Sequence, residues 1–216
     1  MFAPRAQPYS AILTHRPLAV FSAVLIVNAA LAMLLLYLER FQGIDHWNLV
    51  RDTNAIAGQP AYFGAYSNLG VLVWASTAAI SIFAWLLLKG RGSDDGRLRV
   101  LGLGGLFAAI AGLDDLFMLH ENSYVIGIPD KAVMAGYCLL AFGFAASAVP
   151  VLHRTKWVLL VAALSFFAVS FFFDLSLFPG SVLAEEVGKL TGISFLAAYL
   201  VTLSSSVLRD GLQRKK

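Results

Sequence analysis

The fold class this sequence predicts is an all-α polytopic membrane protein, a bundle of six transmembrane helices with both termini inside. Three observations carry that prediction. The chain of 216 residues is 59% hydrophobic and only 13% charged, with a mean hydropathy of +0.75, whereas an average soluble domain is about a quarter charged. Its apolar residues gather in runs near the length of about 20 residues that crosses a hydrocarbon core. Its Lys and Arg crowd one set of loops, which is the positive-inside signature. A soluble globular domain and a disordered chain are excluded by the same numbers, since disordered chains are charged and poor in aromatics and aromatics make up 12% here. A single Cys excludes an intrachain disulfide framework and a Cys-based zinc site.

The elements follow in order. The first span covers residues 18–38 and starts after Pro17, because proline suits a helix's first turn. It is longer than the ~7–15 residues of a signal-peptide apolar region and ends Leu36-Tyr37-Leu38-Glu39-Arg40, with no small-residue cleavage site. A retained helix is therefore expected. Residues 39–68 form a long outer connection in which 44–52 predict a short interfacial helix and Gly58, Pro60 and Gly64 mark a loop. Connections of this length often serve a site. The second span covers 69–88, with Ser67 or Asn68 as its cap. A solvated inner turn at 90–96 leads to the third span, 100–119. The fourth covers 132–152, and a tight inner turn at 153–156 leads to the fifth, 157–173. The sixth covers 187–207. No run alternates with period 2, so a membrane β-barrel is not expected. The whole chain, 1–216, reads as one transmembrane domain with no internal repeat.

Orientation comes from the basic residues. With the N-terminus inside, twelve of the sixteen fall inside and four outside: Arg40, Arg51, Lys131 and Lys189. Of the thirteen acids, only Asp94, Asp95 and Asp210 fall inside. Trp85 and Trp157 sit near inner ends; Tyr37, Trp47, Tyr62 and Tyr66 near outer ends, as an aromatic girdle would place them. The basic inner face is explained by topology and implies no nucleic-acid partner. The expected partners are membrane lipid and other membrane subunits, and the expected location is a bacterial cytoplasmic (inner) membrane.

Ionisable residues inside a membrane are costly and mark candidate sites. The third span ends Asp114-Asp115-Leu116-Phe117-Met118-Leu119-His120-Glu121, and the sixth opens Glu185-Glu186-Val187-Gly188-Lys189. Both polar ends lie on the outer side, as does Asp174 at the end of the fifth span. Asp114 and Glu121, seven residues apart, share a helical face, and Asp115 lies about 100° around from Asp114. His120 falls nearer the apolar face unless the helix unwinds before it. Gly104, Phe107, Ala108 and Ala111 share the carboxylates' sector, so this face and the Gly188/Gly192 face are expected to bring spans three and six together. Asp114, Asp115, Glu121, Glu185, Glu186 and His120 form a candidate ligand set for a divalent cation, since oxygen donors with one imidazole suit such ions. Lys189 is the competing neutraliser, one turn beyond Glu185 and Glu186. His15, His46 and His153 read as surface histidines and Cys138 as a packing residue.

The Glu185-Glu186-x-x-Lys189 element resembles the EExxK element of PrsW-type and, more loosely, CAAX-type glutamic intramembrane proteases. The resemblance covers five residues. Those families carry further Phe/Glu and His-containing motifs on later helices, whereas here the element opens the last span, so their activity is not carried over. The several-histidine pattern of alkaline-ceramidase-like hydrolases is not matched either, because only His120 lies near a span. The leading functional reading is an accessory or scaffold subunit with an outer-facing carboxylate/Lys cluster. The alternatives are a metal-dependent membrane enzyme acting on a lipid or lipid-linked substrate at the outer leaflet and a cation or proton transporter.

Overall fold

The structure is a computed structural model that describes residues 17–89, 96–174 and 182–213. Every regular element among these residues is a helix. The chain divides into two units, Met1–Phe63 and Gly64–Lys216, each taken by itself below. The 90–96 turn and the segment after Asp174 fall almost wholly outside the described residues.

The first unit holds α1 (Pro17–Gln42), α2 (His46–Val50) and α3 (Thr53–Ile56). Pro17 opens α1, where its missing N–H costs nothing. The short helix expected over 44–52 forms as α2 because the Asp45 carboxylate accepts the Trp47 N–H. Asp52 then caps α3, accepting from Asn54 and Ala55 N–H groups, a helix the sequence did not announce. The Arg51 guanidinium sits 5.6 Å above the Trp47 ring.

The second unit holds α4 (Ala65–Leu88), α5 (Gly96–Phe117), α6 (Asp130–Ala148), α7 (Trp157–Asp174) and α8 (Val182–Gln213). Gly64, at φ +71°, precedes α4 directly. Its left-handed turn starts the helix three residues before the expected cap, so Ser67 and Asn68 lie in the first turn instead. A 3₁₀ stretch, Val149–Arg154, continues α6, because Pro150 has no N–H to extend the α ladder. Among the described residues, five helices are long and apolar enough to cross a membrane: Phe21–Gln42, Ala65–Leu88, Gly96–Phe117, Lys131–Arg154 and Val182–Gly211. Trp157–Phe173 is apolar but shorter.

Two helices outrun their apolar runs. Arg97, expected in a loop, lies in the first turn of α5 and is 4% exposed. Its Nη2 meets Asp210 Oδ2 at 2.6 Å and its Nη1 donates to Ser206 at 3.3 Å. This pair lets α5 and α8 extend past 100 and 207 without leaving a buried charge alone.

Packing follows the small residues. α5 lies against α4, α6 and α8, and α8 lies against α4 and α7. A Cβ on Gly105 would lie 2.8 Å from Ile82 Cγ1, and one on Gly112 2.8 Å from Trp74 Cβ. Small residues there let α4 and α5 approach closely. Gly104 faces Leu200 and Phe144, so it does meet α8. The Gly188/Gly192 face meets α7 rather than the third span: a Cβ on Gly192 would lie 2.8 Å from Phe167, and one on Gly188 3.5 Å from Ser170. An aromatic ladder ties four helices together. Trp74 of α4 stacks on Phe167 of α7 at 5.8 Å and meets Phe107 of α5 edge-on at 5.7 Å. Phe107 in turn stacks on Phe144 of α6 at 6.1 Å. By contrast α6 and α7, consecutive in the chain, barely touch.

Candidate functional site

The site lies where α5 ends. After Phe117 the chain turns through Met118, whose φ is +50°. The Leu119 N–H returns to the Asp114 carbonyl at 3.3 Å, closing the helix in the manner of a Schellman cap. That turn brings His120 back over the last turn of α5. Its backbone N–H donates to Asp114 Oδ1 at 2.8 Å, and its Nδ1 lies 2.6 Å from Asp114 Oδ2. The helix thus unwinds just before His120, which is the condition under which this imidazole leaves the apolar face. Ser123, buried, donates to the His120 carbonyl at 3.0 Å and holds the turn. Asp114 itself is 6% exposed. The hydroxyl of Tyr137, from α6, is also hydrogen-bonded to it. Several donors thus meet the hydrogen-bonding needs of this buried carboxylate.

Asp115 takes different partners, as its place around the helix requires. The Trp74 indole N–H donates to Asp115 Oδ2 at 2.9 Å. The Lys189 ammonium lies 3.7 Å from Asp115 Oδ1 and 3.0 Å from Glu186 Oε1. Lys189 therefore joins α5 to α8 between two carboxylates. Glu185 lies on the same side and lines the cavity described next. Glu121 stays at the margin, exposed, with Oε1 3.9 Å from His120 Nε2. The Asp174 side chain lies outside the described residues. Asp114, Asp115, His120, Glu185, Glu186 and Lys189 thus gather at one end of the bundle, with Glu121 at its edge.

Between these groups is a cavity of about 330 Å³. Trp74, Phe107 and Phe167 form its aromatic floor, and Asp114, Asp115, His120, Glu185 and Lys189 its polar rim. Met134, Tyr137, Cys138 and Ala141 of α6 line one side; Ala168, Ser170 and Phe171 of α7 line another. Both α6 and α7 line the cavity, and they barely touch each other. Tyr137 and Trp74 had no signal in the sequence beyond being aromatic residues inside apolar runs. Cys138, expected to pack, is an exposed lining residue instead.

Among the described residues, Glu39, Asp45 and His46, all exposed, bring ligand-type atoms within 4.8 Å of one another. His46 Nδ1 lies 2.8 Å from Glu39 Oε1 and 3.6 Å from Asp45 Oδ1. The hydrogen bond and charge of Glu39 raise the His46 pKa above the ordinary histidine value. His46, read from sequence as an ordinary surface residue, is thus part of an acidic group that could hold a cation.

No curated protein and no solved structure matches the chain. Residues 18–203 match the family described as a domain of unknown function, DUF8692, and the chain belongs to that family.

Proposed function

We propose that the protein is an accessory membrane protein that holds the polar end of an amphipathic molecule at the outer ends of its helices. One observation carries this reading. The cavity joins aromatic walls to ionised groups and is lined by α6 and α7, two helices that barely touch; in this reading a lipid-like molecule enters between them. Pockets with apolar walls and a few convergent polar groups are the usual form of small-molecule sites. In this reading α7 is also a span and brings the number to six; its apolar residues 157–173 reach about 26 Å, within tilt and mismatch of the bilayer core. Both termini lie inside, supported by the twelve basic residues on that side. A helical, positive-inside design suits a cytoplasmic membrane, with lipid and other membrane subunits as partners. Lys189 lies between Asp115 and Glu186, where a divalent cation would otherwise neutralise them, and this favours an ion-paired cluster over a metal centre.

A second reading, an enzyme acting on such a molecule, draws on the 2.6 Å contact between Asp114 and His120 Nδ1. That contact orients the imidazole and leaves Nε2 to move a proton at the cavity. The transport reading has less support. Apolar, buried Val100, Leu101 and Ala108 separate the Arg97–Asp210 pair from the Asp114 end.

The test uses Cys138, the chain's one thiol. The full chain, in nanodiscs of uncharged galactolipid, is alkylated with N-ethylmaleimide. Octyl-chain amphiphiles should slow Cys138 alkylation saturably. A rate that no such amphiphile changes contradicts the reading.

A further inference from the structure

The ionised groups lining the cavity are unequal in number. Asp114, Asp115 and Glu185 bring three carboxylates and Lys189 one ammonium. That ammonium is already engaged by Asp115 and by Glu186. An anionic headgroup entering here would meet excess negative charge and a Lys with two carboxylates beside it. The walls are aromatic on several sides, from Trp74, Phe107, Tyr137, Phe167 and Phe171. Aromatic faces attract cations, most effectively when water is excluded.

A second observation is independent of the acids. Ser170 of α7 is only 8% exposed and lines the cavity. A hydroxyl in the lining can exchange a hydrogen bond with a ligand's polar atom.

We propose that the cavity is a site for organic cations, taking the amine or quaternary ammonium end of an amphiphile against Asp114, Asp115, Glu185 and the aromatic walls, with Ser170 contacting an adjacent polar atom. This inference rests on the amphiphile-binding reading above and names the class of ligand. A carboxylate-rich aromatic pocket suits a weakly hydrated organic cation better than a metal ion. The metal ion needs several oxygens converging on one point, whereas here Asp114 is turned to His120 and Tyr137 and Asp115 to Trp74 and Lys189. The cation instead gains from diffuse negative potential and ring faces. Its hydrocarbon tail leaves through the gap between α6 and α7.

The test compares three probes of equal chain length: octyltrimethylammonium, octyl sulfate and octyl glucoside. Each protects Cys138 against N-ethylmaleimide in the full chain in galactolipid nanodiscs, which supply no competing amine. The expected result is saturable protection by octyltrimethylammonium at concentrations roughly tenfold below those of the other two. Glu185→Gln should raise its half-protecting concentration about fivefold, by removing one lining charge. Ser170→Ala should raise it about threefold, by removing the lining hydroxyl. The two variants act through different groups, so a folding failure in one leaves the other to decide. Protection by octyl sulfate or octyl glucoside at equal or lower concentration overturns the cation assignment and leaves amphiphile binding standing. Protection by octyltrimethylammonium that neither folded variant weakens also overturns it. No protection by any of the three overturns both.

Discussion

Replacing Lys189 with Met removes the one ammonium that bridges α5 and α8 at the site. Its Nζ lies 3.0 Å from Glu186 and 3.7 Å from Asp115. At an effective dielectric of about 20 these separations correspond to gross attractions of about 5.5 and 4.5 kcal/mol. Desolvation of the three ions offsets most of that. Removing one partner of a fully buried pair costs about 3–5 kcal/mol, because the remaining charge is left unpaired. The Lys189 side chain is 30% exposed and Glu186 27%, while Asp115 is 13% exposed. Water therefore relieves part of the loss, and about 2–3 kcal/mol is the working magnitude. For a chain of this size that lowers the melting temperature by about 5–10 °C. The assay is loss of helical circular dichroism on heating in a neutral detergent at pH 7. Lys189→Met together with Glu186→Gln should recover part of the loss, since fewer carboxylates are then unpaired. Added Mg²⁺ or Ca²⁺ should not rescue the single variant, and EDTA should leave the wild type unchanged. A Lys189→Met melt within about 1 °C of wild type would refute the reasoning, taking the same conversion. So would a marked fall of the wild-type melting temperature in EDTA, because a cation that binds only the folded state stabilises it by mass action.

Gly105→Ala should destabilise the chain by about 1–2 kcal/mol, because the new Cβ would lie 2.8 Å from Ile82 Cγ1 and 3.2 Å from the Ile82 backbone N; an unchanged melt would show that α4 and α5 separate freely. His46 should titrate above the ordinary histidine value by NMR, and Glu39→Gln should bring its midpoint down. Because the folded value is raised, the stability from this pair is fully present below the ordinary value and is lost as pH rises through the raised one; a midpoint insensitive to Glu39→Gln contradicts the pairing. In a Cys138→Ser background, Asp52→Cys should react with an impermeant maleimide from outside and Arg209→Cys from inside. The reverse pattern overturns the outer placement of the site.

The long apolar helices were legible because span length is set by the bilayer and read directly from residue runs. Their ends were not, where charge pairs across helices: Arg97 and Asp210 look like loop residues until one is seen against the other. The turn that returns His120 to Asp114 carries no Gly or Pro, and a left-handed Met118 gives no local signal. Helical phase did separate Asp114 from Asp115, and the structure sends them to different partners. A stripe of small residues tells that a helix comes close but not which one, so Gly188 and Gly192 were assigned to the wrong neighbour. Tyr137 and Trp74 are invisible as site residues in sequence because a buried aromatic serves a core and a pocket equally well.

Native mass spectrometry of the full chain, released directly from membranes, tests most directly whether the cavity holds an amphiphile. The wild type should retain one small amphipathic molecule per chain through collisional activation that strips bulk lipid. Cys138→Trp, which adds bulk to the α6 side of the lining, should lose that adduct while keeping the wild-type helical circular dichroism. Identical spectra for the two chains, with or without an adduct, would contradict the account.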